Sequence, residues 1–193
     1  EFRRVLFRSY EGSDEYTKEL KLSTGWTHAG KMAQQFASDP DRNKLIVDIS
    51  KSLIEEGRNI FIFAENREYL GVLKQQLCDS GLVGVSAPEL EISTMMGGIK
   101  PEQFISATAS ARIILITYSF GSEQISIPRM DTIIFATSRK SKMRQIIGRI
   151  LRLGGDVTKE RLIIDIVDVK TSIAKQFRAR KAIYLEKNFI LEN

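Results

Sequence analysis

Four short apolar runs constrain the fold of this chain of 193 residues more than any other feature of its sequence. The runs are Ile60–Ala64, Ile113–Ile116, Thr132–Phe135 and Leu162–Val167. Each is rich in isoleucine, apolar at almost every position and bounded by polar or turn residues. Strands that are apolar on both sides are buried on both faces, as in a parallel sheet that helices cover on either side. The runs therefore predict the strands of a parallel sheet.

Segments with apolar residues at helical spacing alternate with these runs. The spacing predicts helices over residues 27–38, 43–56, 68–78, 101–109, 142–153 and 172–187, and a further short strand over 91–95. An alternation of strands and helices predicts an α/β fold, in which a doubly wound, mostly parallel sheet is flanked by helices from about residue 43 to the end.

The chain before residue 43 is expected to divide into two parts. Residues 1–9 have neither the apolar segment of a signal peptide nor a periodicity that joins them to the next residues of the chain, so we interpret them as a cloning or sequence-assembly scar. Residues 10–42 are mostly polar and include one short helix, which is typical of a linker. We therefore expect a helical lead-in over 10–42 and a folded domain over 43–193.

The composition excludes several classes of protein. With 42% apolar and 27% charged residues, the chain has the balance of a soluble globular domain. No apolar run approaches the roughly 20 residues that a membrane span needs, so no membrane partner is expected. A single cysteine, Cys78, excludes an internal disulfide, and with only His28 beside it a zinc site built from Cys and His is excluded too. No metal ligand is predicted on this chain, although a metal ion held by carboxylates is not excluded.

The distribution of charge favours an anionic partner. The formal net charge is +5, and the region from Arg139 to Arg152 holds six cations and no acid. A second basic stretch lies on the last predicted helix, which either caps the sheet or contacts nucleic acid, and capping is favoured. The pair Asp165 and Asp168 could bind a metal, but at a spacing of three on a strand they face opposite sides, which favours a structural role.

Residues Gly25 to Met32 match part of a phosphate-binding loop, with Gly, four spacers and then Gly-Lys. Such a loop needs Ser or Thr after the lysine to hold magnesium, and it must come after a buried strand. Met32 has no oxygen to offer, and the residues before Gly25 are too polar for a central strand. We interpret this segment as a loop that leads into a helix, so the chain has no nucleoside triphosphatase activity of its own.

The segment Gln145-Ile-Ile-Gly148-Arg149-Ile-Leu-Arg152 is more specific. On a helix, Gln145, Arg149 and Arg152 point within a narrow sector, while the apolar residues cover the side that faces the sheet. Planar guanidinium groups suit phosphate oxygens. A glycine within a helix costs about 1 kcal/mol relative to alanine, so Gly148 is expected to permit the close approach of a ligand or another backbone.

A hydroxyl-rich loop, Thr117 to Pro128, comes after one buried strand and leads to the next. Doubly wound sheets bind ligands at the carboxyl ends of their strands. The loop therefore brings hydroxyl groups and Glu123 to the rim where the arginine helix is expected.

These segments resemble the motifs of superfamily 2 helicases. Gln145 to Arg152 resembles motif VI, Thr117 to Pro128 resembles motif V, Ile60 to Ala64 resembles motif IV, and Thr94-Met-Met-Gly97-Gly98 resembles the glycine-containing element after it. Their order is similar to the second, carboxyl-terminal RecA-like lobe of viral and phage members. The sequence departs from the family pattern in motif V, where it has Gln124-Ile125-Ser126 in place of the usual Gly-Leu-Asp.

The resemblance implies an ATP-dependent helicase in which ATP and Mg²⁺ are bound mainly by a first, N-terminal RecA-like lobe of the same protein. The residues that it implies are Arg149, Arg152 and Gln145 for catalysis, Glu123, Ser126 and Gly148 for the cofactor, and Thr117, Thr94, Gly97 and Arg67 for nucleic acid. DNA is favoured over RNA as partner, the protein is expected to act inside cells and to be encoded by a virus or phage, and the isolated chain is expected to be inactive.

Two alternatives stay open. A non-enzymatic nucleic-acid-binding module could keep the same fold without the chemistry. A dinucleotide enzyme is less favoured, because the glycine fingerprint of a Rossmann fold is absent after the first predicted strand.

Overall fold

The structure is a computed structural model that describes residues 3–82, 90–122, 125–139, 141–151 and 158–193, with Arg149 and Ile150 described by their backbone alone. The described strands form one seven-stranded parallel sheet in the order β3-β4-β2-β5-β6-β1-β7. The strands are β1 (Arg3–Tyr10), β2 (Ile60–Ala64), β3 (Ile92–Met95), β4 (Ile113–Thr117), β5 (Thr132–Phe135), β6 (Arg161–Asp168) and β7 (Ile190–Glu192). The predicted fold class is confirmed.

Helices cover the two faces of the sheet. The described helices are α1 (Asp14–Thr17), α2 (Ala29–Ala37), α3 (Pro40–Glu55), α4 (Arg67–Leu77), α5 (Pro101–Ala109), α6 (Tyr118–Gly121), α7 (Met143–Ile150) and α8 (Lys175–Glu186). A helical turn, Cys78–Leu82, continues α4, and a 3-10 turn, Ser172–Ala174, precedes α8. No helix among the described residues combines the length and the apolar character that crossing a bilayer requires.

Two hydrophobic cores lie on opposite faces of the sheet, which explains why the central strands are apolar throughout. On β2, Phe61 and Phe63 enter the core that also holds Ile146 and Ile147 of α7. The alternate residues of β2, Ile60, Ile62 and Ala64, enter the other core, which α3 and α4 cover. Successive side chains on a strand point to opposite faces, so a strand that lies between two cores needs an apolar residue at every position.

Helix α3 begins three residues earlier than the spacing predicts. The carboxylate of Asp39 accepts hydrogen bonds from the backbone N–H groups of Asp41 (3.0 Å) and Arg42 (3.2 Å), so it caps the helix. Pro40 occupies the first turn, where its missing N–H leaves no hydrogen bond unmade. The proline that suggested a break is therefore the start of the helix, and the predicted boundary between residues 42 and 43 falls inside α3.

The amino-terminal residues differ from the expectation that they do not join the fold. Residues 3–10 form β1, which pairs with β6 on one side and β7 on the other. Val5 is fully buried opposite Ile163, and the rings of Phe7 and Phe177 lie 5.3 Å apart. Buried apolar contacts such as that of Val5 explain why β1 joins the sheet. A search of the sequence for helical or strictly alternating periods misses them.

The two aspartates of β6 have the structural role that the spacing favours. Asp165 accepts hydrogen bonds from Arg180 (2.7 and 2.8 Å) and Tyr184 (2.6 Å), both of α8. Asp168 forms an ion pair with Arg42 of α3. Since Arg180 and Tyr184 are buried against the sheet, α8 packs as a capping helix.

Candidate functional site

An open groove lies where β2, β3 and β4 end. We call it the carboxyl-edge groove, and its volume is about 550 Å³. Its lining residues are Glu65, Asn66, Arg67, Glu68, Gly97, Gly98, Thr117, Ser119 and Phe120. Three of the four residues predicted to bind nucleic acid, Arg67, Gly97 and Thr117, meet here. The fourth, Thr94, is half-buried on the edge strand β3 and does not line the groove.

Helix caps position the side chains of this groove. The Asn66 side chain accepts a hydrogen bond from the Tyr69 N–H (2.8 Å), so it starts α4 with Arg67 in the first turn. The Thr117 hydroxyl caps α6 by accepting a hydrogen bond from the Phe120 N–H (3.4 Å), and it lies 3.3 Å from the Ser119 hydroxyl. Thr117 is buried, so its hydroxyl has a fixed position, and its hydrogen is available to a ligand when Ser119 is the donor between the two hydroxyls.

Because Gly97 has no side chain, it leaves room for the Arg67 side chain in the groove. A Cβ atom on Gly97 would stand 3.1 Å from Nη2 of Arg67, which is closer than such contacts usually are. The Arg67 side chain is exposed and has no ion pair within the part of the chain that the structure describes. The arrangement therefore offers an uncompensated guanidinium over a glycine backbone, which suits a phosphate group.

A second groove lies beside the first, and the sequence did not predict it. We call it the α2 groove. It has a volume of about 500 Å³ and is lined by Ala29, Gly30, Ala33, Glu65, Ser138, Arg139, Ser141 and Gln176. Glu65 lines both grooves, so the two are adjacent. The signal that could have found it is the pair Ser138-Arg139, which comes after the end of β5 as Thr117 comes at the end of β4.

An ion pair separates the two grooves. The Glu65 carboxylate accepts a hydrogen bond from Arg139 at 3.1 Å, and the Arg139 guanidinium lies 5.3 Å from the centre of the Tyr118 ring. The Tyr118 hydroxyl donates a hydrogen bond to the Thr137 carbonyl oxygen. Burial raises the pKa of Tyr118 well above its ordinary value, so the hydroxyl remains a donor. Arg139 neutralises Glu65, which leaves no free acid at the junction.

The helix that carries the predicted catalytic residues has the polar and apolar sides that its spacing predicts. Ile146 and Ile147 are fully buried, whereas Gln145 is exposed. Arg149 lies in α7 by its backbone. Arg152 and Glu123 lie outside the described residues.

The segment after α6 lies against α7. Ile125 and Ile146 line the same small void of about 10 Å³ in the core. Between the buried Ile125 and Ile127, Ser126 is exposed. The loop that resembles motif V and the helix that resembles motif VI thus bury apolar residues in the same core and expose Ser126 and Gln145.

Nothing in the described part of the chain requires a glycine at position 148. A Cβ atom there would meet no atom within 4 Å, and the residue has an ordinary helical backbone. Within the described residues nothing approaches Gly148 closely, so the expectation that it makes room for a ligand or another backbone stays a prediction.

The segment Gly25 to Met32 does not form a phosphate-binding loop. An isolated bridge between Lys21 and Thr27 precedes it instead of a buried strand. His28 caps α2 by accepting a hydrogen bond from the Lys31 N–H (3.3 Å), so Gly30 and Lys31 belong to the helix.

Solved structures define the class of the fold. The T4 protein UvsW superimposes with a TM-score of 0.70 at 19% identity, over 98% of this chain and 41% of that one. The C-terminal domain of the DEAD-box protein Dbp5 superimposes with a TM-score of 0.59 at 12% identity, over 98% of this chain and 88% of that domain. The chain therefore has the same fold as the C-terminal domain of Dbp5, which is the RecA-like fold that its motifs predict.

Sequence relatives are viral and are longer than this chain. It is 35% identical over 193 residues to the "Putative ATP-dependent RNA helicase QP509L" of African swine fever virus, isolate Tick/South Africa/Pretoriuskop Pr4/1996. It is 26% identical over 182 residues to a protein with the same description, L396, of Acanthamoeba polyphaga mimivirus. The matches cover 93% and 92% of this chain, but only 37% and 33% of those relatives. No protein-family model matches the chain.

Proposed function

We propose that this chain is the second motor lobe of an ATP-dependent helicase or translocase. The observation that carries the proposal is that the segment around Ser126 and α7 pack into one core and expose Ser126 and Gln145, with no described atom within 4 Å of a Cβ at Gly148. Arg149 is the next residue of α7 after Gly148. The names of the viral relatives support an ATP-dependent activity for the longer protein.

The residues present fit a nucleotide that is held mainly by another lobe. Gln145 and Ser126 offer an amide and a hydroxyl, and Gly148 leaves room for a phosphate chain to approach the helix. ATP supplies, when bound, the phosphoryl group whose transfer to water releases free energy. Arg149 and Arg152 stabilise the negative charge that develops during that transfer, an effect of roughly 10³–10⁵ in rate for arginine fingers. The groups that bind Mg²⁺ belong to the first lobe.

Nucleic acid binds in the carboxyl-edge groove. Arg67 contacts a phosphate by charge, the backbone at Gly97 allows the strand to approach closely, and the Thr117 hydroxyl donates its hydrogen to a phosphate oxygen. The relatives are named RNA helicases, so the strand is RNA. The preference for DNA that the sequence suggested has no support among them, and Thr94 has a weaker case because it does not line the groove.

A short stretch of chain links the two surfaces. Thr117 begins α6 at the groove, and the next residues lead through Gly121 to Ser126 on the nucleotide side. A Cβ on Gly121 would stand 2.4 Å from Cε1 of Phe63, so α6 sits directly on the central strand. Because α6 is tightly packed on this strand, a shift of Thr117 at its start reaches Gly121 at its end.

The test is ATP hydrolysis by the chain with the first lobe supplied, with and without single-stranded RNA and DNA. We expect no hydrolysis by this chain alone and RNA-stimulated hydrolysis by the complete protein. Arg149→Ala should abolish that hydrolysis, because it removes the stabilising charge. Arg178→Ala, an exposed arginine of α8, is the matched control and should leave the rate unchanged.

Two results would contradict this proposal. Hydrolysis that survives Arg149→Ala would remove the catalytic role of α7. RNA binding without hydrolysis in the complete protein would favour the non-enzymatic nucleic-acid-binding module instead.

A further inference from the structure

Trp26 is the single tryptophan of the chain, and it lies mostly in solvent. Its exposed fraction is 77%, the largest among the exposed large apolar side chains of the described residues. An indole ring usually buries about 150–250 Å² in a core or an interface. The fold of this chain does not use that surface, so the ring is available to a partner.

A tight hairpin fixes the backbone that carries the ring. Lys21 and Thr27 form an antiparallel bridge, and the Leu22 N–H donates a hydrogen bond to the Trp26 carbonyl oxygen at 2.8 Å. Gly25 turns the chain with φ +82°, a conformation that costs glycine little. The exposed tryptophan is therefore presented by ordered backbone.

The base of this hairpin is anchored to the body of the fold. The Glu19 carboxylate accepts hydrogen bonds from the hydroxyls of Thr27 and Ser172, each at 3.1 Å, and from the Ser172 N–H. The two hydroxyls lie 2.6 Å from each other. Ser172 comes shortly after β6, so the hairpin is fixed to the sheet. A ligand that contacts Trp26 meets a residue whose backbone entropy is already lost on folding.

The hairpin leads directly into the α2 groove. Ala29 and Gly30, which line that groove, come three and four residues after Trp26, so the Cα atoms of Trp26 and Ala29 are at most about 11 Å apart. The groove also contains two polar atoms without a hydrogen-bond partner among the described residues, Oγ of Ser138 and Oε1 of Gln176. A polar path thus runs from the carboxyl-edge groove, past Glu65, to the tryptophan.

The surroundings of the ring fit a nucleobase better than a protein. A stable protein interface buries about 800 Å² on each partner around an apolar centre. Only Leu22 accompanies Trp26 as an exposed large apolar residue of this hairpin, and the exposed cations Lys21 and Lys31 flank it in sequence. One exposed aromatic ring flanked by exposed cations is typical of surfaces that bind single strands without regard to sequence.

We propose that Trp26 is a base-stacking platform for single-stranded nucleic acid. The strand leaves the carboxyl-edge groove, runs along the α2 groove and stacks one base on the indole ring. This inference depends on the nucleic-acid contact of the proposed function, and it adds a binding residue outside the segments that resemble helicase motifs.

The single tryptophan makes a direct test possible with this chain. An oligouridylate that is long enough to cover both grooves is titrated while two signals are recorded, the anisotropy of a label on the oligonucleotide and the fluorescence of Trp26. We expect quenching of the tryptophan that saturates with the anisotropy. An abasic oligonucleotide of equal length and charge should still bind through its phosphates, more weakly, but should not quench, because it has no base to stack.

Substitution measures what the ring contributes. Trp26→Ala should weaken oligouridylate binding by roughly 5- to 150-fold, the usual range for loss of one stacked base. Trp26→Phe should restore part of the affinity. Ile105→Ala removes another exposed apolar side chain, on α5, and should change nothing. Thermal unfolding followed by circular dichroism checks that each variant is folded.

The outcomes separate this inference from the proposed function. If Arg67→Ala weakens binding and Trp26→Ala does not, nucleic acid binds the carboxyl-edge groove and the stacking proposal is wrong. Equal quenching by the abasic strand would also overturn stacking. If no oligonucleotide binds, both the stacking and the nucleic-acid contact fail. Quenching caused by the first lobe without any oligonucleotide would identify Trp26 as a protein contact and overturn the proposal.

Discussion

Arg42 and Asp168 form a buried, two-pronged ion pair that joins α3 to the end of β6. Nε of Arg42 lies 2.7 Å from Oδ1 of Asp168, and Nη2 lies 3.2 Å from Oδ2. Nη1 donates to the Ala136 carbonyl oxygen (2.6 Å) and to the Tyr69 hydroxyl (3.2 Å). Burial alone would lower the pKa of Arg42, but the charge of Asp168 and these hydrogen bonds raise it, so the guanidinium stays charged. One side chain therefore connects α3, α4, β5 and β6.

Asp168→Asn should strongly destabilise the fold. It leaves the Arg42 guanidinium buried without its counter-charge, and breaking a buried pair on one side costs about 3–5 kcal/mol. Urea unfolding followed by circular dichroism measures this loss. Asp48→Asn is the matched control, because its ion pair with Lys44 is exposed on α3 and should contribute nothing measurable. Equal stabilities of the two variants would contradict the role of Arg42.

The central sheet could be predicted from the sequence, whereas its β1 edge could not. Strands β2 and β5 have the predicted bounds, since burial on both faces leaves a continuous apolar run. Strand β1 contains Arg3, Arg4 and Arg8, which obscure its pattern. Arg4 forms ion pairs with Glu160 (3.0 Å) and Glu192 (3.3 Å), partners that only the folded chain brings close.

The candidate site was predictable where it lies at the end of a strand and not where it depends on packing between distant segments. Arg67, Gly97 and Thr117 each lie at or just after the end of a strand of the parallel sheet, so the rule for such sheets brings them to one edge. The α2 groove is lined by residues of α2 together with Arg139 and Gln176, which are distant in sequence. Trp26 becomes a candidate binding residue only because it lies beside that groove. No local pattern in the sequence carries that information.

Gly148→Ala should stabilise the chain and impair the complete protein. Alanine in place of glycine within a helix gains about 0.5–1 kcal/mol, and no described atom of this chain opposes the new methyl group. The methyl group should instead hinder the nucleotide or the first lobe, so ATP hydrolysis by the complete protein should fall.

Gly71→Ala on α4 is the control for this substitution. It also meets no atom within 4 Å, so it should give a similar gain in stability without a loss of hydrolysis. Urea unfolding and ATP hydrolysis are measured for both variants. ATP hydrolysis at the parent rate by Gly148→Ala would mean that neither the nucleotide nor the first lobe needs the space at this glycine.

Arg67→Ala should weaken binding of single-stranded RNA to this chain and reduce its dependence on salt. One lost phosphate contact lowers the slope of log affinity against log salt by about one unit. Arg178 is exposed on α8, whose buried residues cap the sheet, so Arg178→Ala should leave affinity and slope unchanged. Fluorescence anisotropy over a range of salt concentrations gives both quantities. A smaller slope for Arg178→Ala instead would identify α8 as the nucleic-acid track.

Stability should fall in alkali because buried tyrosines hold their protons in the folded chain. Burial is the main cause that raises the pKa of Tyr69 to about 12. The unfolded chain loses that proton near pH 10, so the contribution of Tyr69 is complete below pH 10 and is lost as the pH rises to 12. Two pKa units correspond to about 3 kcal/mol. Urea unfolding at a series of pH values measures the loss.

Tyr69→Phe isolates this tyrosine from the others. The variant loses the hydrogen bond from the tyrosine hydroxyl to Asn43 (2.7 Å) and the one from Arg42, so it should be less stable than the parent at pH 8. Between pH 10 and pH 12 its stability should fall less steeply, because one fewer proton is released on unfolding. The stability curves of the two proteins should therefore converge as the pH rises. Parallel curves would mean that Tyr69 ionises as easily in the folded chain as in the unfolded one, and that the network around Arg42 does not bury it.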